Sequence, residues 1–214
     1  MRTPKEYEND IGDLLSVFFA DIDIEDMDIR IRKSLKYRSE RGYRSYSPII
    51  DVSVGPFSEA RGVSRWSDYN QLVHFSRLLI DDMLEQFRRN YQSFGEGIFE
   101  TRQRTLPTSY ENFLAFNEDV NRNVNWNARC FMAVEVEDRR NPKHLLGDMI
   151  NVSISGRVGV VIGYNTVAYE TFLRQLEYLA YTVEANKIKF NSRNIIVLDP
   201  DQFETVLLNN LREI

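Results

Sequence analysis

Two glutamates alternate with valine in the run Val134-Glu135-Val136-Glu137, and a lone aspartate interrupts the apolar run Pro48-Ile49-Ile50-Asp51-Val52. On an extended strand, residues two apart share a face with Cα atoms roughly 6.5 Å apart, so Glu135 and Glu137 point the same way. If the strand carrying Asp51 pairs beside this one, Asp51 lies across from one glutamate at about 5 Å, close enough to share a hard cation. Carboxylates held that close repel one another, and a bound divalent ion is the usual reason such a cluster persists. The chemistry this suits is phosphodiester hydrolysis. Mg²⁺, or Mn²⁺ in its place, polarises the phosphoryl group and acidifies a bound water, while a further polar group positions that water for in-line attack. The blander alternative for Asp51 is a structural salt bridge, since an acid inside an apolar strand costs stability unless paired or ligated. For Glu135 and Glu137 it is a solvated or arginine-paired face.

Elements must hold these acids in place. Residues 49 to 54 read as a strand with Ile50, Val52 and Val54 on one face and Ile49, Asp51 and Ser53 on the other, stopped by Gly55-Pro56. Residues 130 to 137 read as a second strand. Asn141-Pro142 then opens a helix to about 154, Gly156 ends it, and "RVGVVIG" is an apolar strand of the kind buried on both faces. Strand, helix and strand in that order suit a right-handed crossover between parallel strands. Upstream, Tyr7, Ile11, Leu14, Leu15 and Phe18 mark a helix from about 5 to 20. Residues 24 to 38 offer both a helical face (Ile24, Met27, Ile31, Leu35) and the alternation "DIRIR"; helix is favoured. Leu72, Phe75, Leu79, Met83 and Phe87 predict one long helix from about 68 to 93, and residues 95 to 128 read as loop-rich with a short helix near Tyr110, Phe113 and Leu114. Asn165-Thr166 precedes a further helix, "NIIVL" at 194 to 198 is a strand, and Asp199, Pro200 and Gln202 form the start signature of a helix from 200 to 212. The expected architecture is a single α/β domain, with a core of about 5–58 and 129–214, a helical and loop insertion of about 60–128, and a sheet parallel in its second half.

A helix, a strand with one Asp, a strand with Glu-x-Glu, then a helix and an apolar strand: this order resembles the core of the PD-(D/E)XK, or restriction-endonuclease-like, nuclease superfamily. The resemblance rests on Pro48-Ile49-Ile50-Asp51, Val134-Glu135-Val136-Glu137 and the helix and "RVGVVIG" strand that follow, and covers roughly residues 5 to 163. It implies a mixed central sheet flanked by helices, with Asp51 matching the family's metal-binding aspartate and Glu135 its second metal ligand. Glu137 stands where the family usually has lysine, as in the Glu-x-Glu variant of some restriction enzymes, where the residue serves as ligand or orients water. Lys143, six residues on, is the expected source of the missing cation. Glu8, in "YENDIGDLL", resembles the first-helix acid that some members use as an extra ligand.

Charge bears on the partner. The net charge is −5, but it is uneven: residues 1 to 29 hold Arg2 and Lys5 against nine acids, whereas residues 30 to 46 hold seven bases and one acid, Glu40. A polyanion would meet that second segment, and Arg38, Arg41 and Arg44 are its expected contacts to a nucleic-acid backbone; a solvated basic face is the alternative. Tyr37, Tyr43 and Tyr46 can stack on bases or pack in the core. A lone cysteine, Cys130, forms no internal disulfide and reads as a small buried hydrophobe. No apolar run approaches the roughly 20 residues that cross a bilayer, and the first residues lack the order of a signal peptide, so no membrane partner and a cytoplasmic setting are expected. The reading is a Mg²⁺-dependent nuclease acting on nucleic acid, DNA before RNA. The alternatives are a catalytically inactive nuclease-fold binding or assembly module, and an α/β interaction protein whose 68–93 helix builds a homo-oligomer.

Overall fold

The apolar spacing that begins at Tyr7 produces helix α1 (Pro4–Ala20), which buries Tyr7, Ile11, Leu15, Phe18 and Phe19. The computed structural model describes residues 2–20, 22, 24, 27–36, 48–58, 65–94, 106–114, 125, 128–188 and 192–212. After α1 come strands β1 (Ile31–Lys36) and β2 (Ile49–Val54), helices α2 (Trp66–Phe75) and α3 (Arg77–Phe94), and a 3-10 turn at Tyr110–Phe113. Strand β3 (Cys130–Glu137), helix α4 (Pro142–Ser155), strand β4 (Gly156–Gly163), helix α5 (Thr166–Glu184), strand β5 (Ile195–Leu198) and helix α6 (Pro200–Leu211) follow among the described residues. The protein is a mixed α/β structure: the described residues form a five-stranded sheet in the order β1-β2-β3-β4-β5, with helices against it. β1, β2 and β3 run antiparallel in turn, and β3, β4 and β5 run parallel.

Two expectations are corrected. Residues 24 to 38 do not form a helix, since β1 occupies Ile31–Lys36. Its alternating side chains pair along β2, with Ile31 opposite Val54 and Leu35 opposite Ile50, and cross-strand pairing outweighs the weak helical periodicity. The predicted helix of 68–93 is two helices, α2 and α3, broken at Ser76, whose φ of −92° and ψ of 20° leave the helical region. A continuous helix would carry Phe75 on the stripe of Leu72 and Leu79, yet Phe75 is 58% exposed while Tyr69, Leu72 and Val73 are buried. The break gives each half its own buried face.

Helix α3 is tied into the core. Its Asn90 donates to the Val197 carbonyl of β5 (3.2 Å) and to Gln202 of α6 (3.0 Å), Gln202 donates back to Asn90 (2.6 Å), and the Tyr91 hydroxyl donates to the Leu173 carbonyl of α5 (3.2 Å). The apolar stripe Leu79, Met83 and Phe87 is therefore covered by the chain's own elements.

The two faces of the sheet are assigned by contacts. Lys33 of β1, opposite Val52, donates to the Asn9 carbonyl (3.1 Å) and to Asp13 (2.8 Å), so α1 lies on the face of Val52. A Cβ built on Gly159 would meet Val152 of α4 at 3.1 Å, so α4 lies on the face of Gly159, which is also the face of Ala133 and Glu135. At the far end of β4, a Cβ on Gly163 would stand 2.2 Å from Cα of Tyr169, which makes this glycine the condition for α5 to turn back so closely. Among the described residues no helix is long and apolar enough to cross a membrane.

A candidate carboxylate site at the end of the sheet

Antiparallel pairing sets Val52 opposite Val134 and Ser53 opposite Ala133, and one step further along the same ladder brings Asp51 opposite Glu135. The contact is direct: Asp51 Oδ2 accepts a hydrogen bond from the Val136 main-chain N–H at 3.0 Å. The Asp51 and Glu135 carboxyl groups approach within hydrogen-bonding range of each other. Two carboxylates can bond only if one carries a proton. Burial first, and then the charge of Asp51, push Glu135 well above the usual carboxylate range. Glu135 is 5% exposed, and no donor among the described residues reaches its Oε1.

Around this pair stand further acids. Glu137, on the same face two residues on and half-buried, accepts at Oε1 from the main-chain N–H groups of Asp138 (3.0 Å) and Arg139 (2.9 Å), and its Oε2 lies 3.7 Å from the Arg139 guanidinium. Glu8, 7% exposed, comes in from α1; desolvation, with the charges of Asp51 and Glu137 added, holds its carboxyl above the ordinary value even though Lys5 bonds to it. Asp148 of α4 is the acid that sequence reasoning missed. Burial, then the charges of Glu137 and Asp51, push it up to about 7, and its Oδ2 is buried with no donor among the described residues. A signal for it existed: with Leu145, Met149 and Val152 buried, position 148 falls within the apolar stripe of α4, a poor place for a solvated acid. Lys5 is the second omission. Its ammonium bonds to Glu8 and to Ser34 Oγ of β1 (3.3 Å), and feels the charge of Asp51.

Asp51, Glu135, Glu137 and Glu8 stand at the same end of the sheet, near enough for charge to act between Asp51 and Glu135 and between Glu8 and both Asp51 and Glu137, and Asp148 and Lys5 lie beside them. Lys143 lies in the exposed first turn of α4, where its main-chain N–H donates to Asn141 Oδ1 at 3.0 Å, and its side chain makes no ion pair among the described residues. His144 is exposed in the same turn, and Cys130 is buried, its thiol donating to the Ser155 carbonyl at 3.4 Å. Arg38, Arg41 and Arg44, with Tyr37, Tyr43 and Tyr46, lie outside the described residues.

The donor set suits a hard divalent cation: oxygen ligands only, with buried oxygens on Glu135 and Asp148 that no donor among the described residues satisfies. In the arrangement seen, no three described acids converge tightly enough to enclose an ion. No family model, no curated protein and no solved structure matches this chain.

Proposed function

We propose that this protein is a metal-dependent hydrolase of phosphodiester bonds with a restriction-endonuclease-like core, DNA being the favoured substrate. The observation that carries the proposal is Glu135: a buried carboxyl group, one oxygen of which meets no donor among the described residues, set against Asp51 and within reach of the charge of Asp148. Isolating an acid in this way costs several kcal/mol unless a cation or a proton compensates it. Asp51, Glu135 and Glu8 would hold Mg²⁺ or Mn²⁺, which when bound supplies Lewis acidity toward the phosphoryl group and a more acidic water. Glu137, fixed through its Oε1 by two main-chain N–H groups, keeps Oε2 available to orient a water.

The test is cleavage of supercoiled plasmid by the purified protein in Mg²⁺ or Mn²⁺, beside Asp51→Asn and Glu135→Gln. Metal-dependent nicking by the native chain and its loss in both variants is the expected result. No nicking by the native protein, or equal nicking by the variants, rejects the proposal.

One observation favours a second reading. Glu137 occupies the position at which the resemblance leads one to expect lysine, and Lys143 makes no ion pair with the acids. A nuclease-fold module that binds nucleic acid without cutting it would retain DNA in Asp51→Asn and lose it when Arg38, Arg41 and Arg44 are neutralised.

A further inference from the structure

We propose that Lys5, and not Lys143, is the catalytic cation of this site, and that it contacts a non-bridging oxygen of the scissile phosphodiester. This rests on the hydrolase reading above and deepens it.

The need for such a group follows from charge. Glu8, Asp51, Glu135, Glu137 and Asp148 act on one another through their charges at one end of the sheet, and a single divalent ion leaves that end an unattractive place for a phosphodiester anion. In-line attack adds further negative charge to the phosphoryl oxygens. A positive group placed beforehand at those oxygens lowers the barrier most where water is scarce.

Two described cations stand at the cluster. Arg139 is one, its side chain 64% exposed and 3.7 Å from Glu137 Oε2. Lys5 is the other, and it is the better held. Its ammonium has three donors. Glu8 takes one and Ser34 Oγ another, at 3.3 Å, which anchors it between α1 and β1. Its side chain is 61% exposed while that of Glu8 beneath it is 10% exposed, so the third donor is open to solvent over a buried floor of acid. Ser34 is itself fixed in an uncommon backbone conformation, with φ of 54°, on the strand paired with the one that carries Asp51. The α1 helix is positioned from its other side: the Tyr7 hydroxyl donates to the Pro200 carbonyl at 2.9 Å, and the Tyr7 ring packs on Tyr164 with centroids 5.6 Å apart. Lys5 therefore sits where a substrate oxygen and a metal held by Asp51 could be reached together. Nothing described holds Lys143 toward the acids.

The bland alternative is that Lys5 merely neutralises Glu8. Lys5→Met separates the two, because an exposed side chain in the first turn of a helix can be replaced without unfolding the protein. Cleavage kinetics on a DNA duplex in Mg²⁺ and calorimetric titration with Mn²⁺ are measured on native protein, Lys5→Met, Lys143→Met and Asp51→Asn. The expected result is a turnover about 100-fold lower in Lys5→Met, with Mn²⁺ affinity equal to or tighter than native. Turnover within about threefold of native in Lys5→Met overturns the proposal, as does a parallel loss of Mn²⁺ affinity or a loss of turnover in Lys143→Met alone. If the native protein does not cleave, or Asp51→Asn cleaves as well as native, the hydrolase reading fails first and Lys5 falls with it. If Asp51→Asn is dead and Lys5→Met is not, only Lys5 is wrong.

Discussion

Asp51 accepts a hydrogen bond at 3.0 Å from the main-chain N–H of Val136, the residue between Glu135 and Glu137. The contact locks the aspartate to the strand that carries Glu135 and Glu137 and sets its charge against the Glu135 carboxyl. Asparagine can accept the same bond through its amide oxygen while removing the charge.

Asp51→Asn should therefore keep the fold and lose the ion. Mg²⁺ or Mn²⁺ at about 100 times its Kd would stabilise the native protein by roughly 2.7 kcal/mol, a rise in Tm of about 2–4 °C per kcal/mol for a chain of this size. In Asp51→Asn the metal-free Tm should stay near native and the metal-induced rise should vanish. Equal rises in both proteins would remove Asp51 from the ligand set.

The pH dependence of stability should carry the mark of Asp148. Its carboxyl is pushed up from 3.8 to about 7 in the folded protein, so the folded state holds this proton more tightly than the unfolded one. The stability it contributes is complete below about pH 4 and is lost as pH rises through about 7. Asp148→Asn does not titrate, so its unfolding free energy minus the native one should grow between pH 5 and pH 8, by on the order of 2 kcal/mol at the upper end. A difference that shrinks over that range would contradict the burial of this carboxyl.

Gly163→Ala tests the turn that follows β4. The added methyl carbon would fall 2.2 Å from Tyr169 Cα and 2.3 Å from its nitrogen, both main-chain atoms that cannot swing aside. A loss of ~1–3 kcal/mol is expected, as for overpacking a filled interior, read as a lower midpoint in chemical denaturation.

Arg157 makes the opposite prediction. It is fully buried in β4, and its guanidinium finds no hydrogen-bond acceptor among the described residues; its nearest compensation is the Tyr69 ring, 5.8 Å from Cζ. Desolvation pushes this arginine down to about 10. Arg157→Met keeps most of the volume and removes the charge, and should raise stability by ~1–4 kcal/mol. A destabilised variant would mean that the guanidinium is satisfied in solution.

The elements that sequence reasoning located well are those with short-range signals. Asn141-Pro142 begins α4, with Asn141 capping Lys143 N. The reciprocal bonds expected of Asp199 and Gln202 are present at 2.8 and 3.1 Å. Strand parity also carried far, since it put Glu135 and Glu137 on one face, and Asp51 across from them once β2 pairs with β3. What escaped depends on distant partners. The helical spacing of Ile24, Met27, Ile31 and Leu35 yields to a strand because β2 offers an edge to pair with. Asp148 and Lys5 sit on helices, and the angle at which a helix is rotated over a sheet is set by packing that no local pattern encodes. Lys143, six residues after Glu137, is left in an exposed turn, while Lys5, 130 residues before Glu135, bonds to Glu8 and lies within reach of the charge of Asp51.

One further consequence follows from the register of β3 and β4. Glu135 pairs with Val161, and Arg157 lies four residues before Val161 on the same strand face, so the two buried ionisable groups are about 13 Å apart along the ladder. They are of opposite sign and can never meet. The sheet is thus electrically polarised along its length, acidic where β3 ends and basic where β4 begins, and at an effective dielectric of about 20 that separation leaves only about 1 kcal/mol of mutual attraction. Each end must find its own compensation: an aromatic ring at one, a proton or a cation from outside at the other.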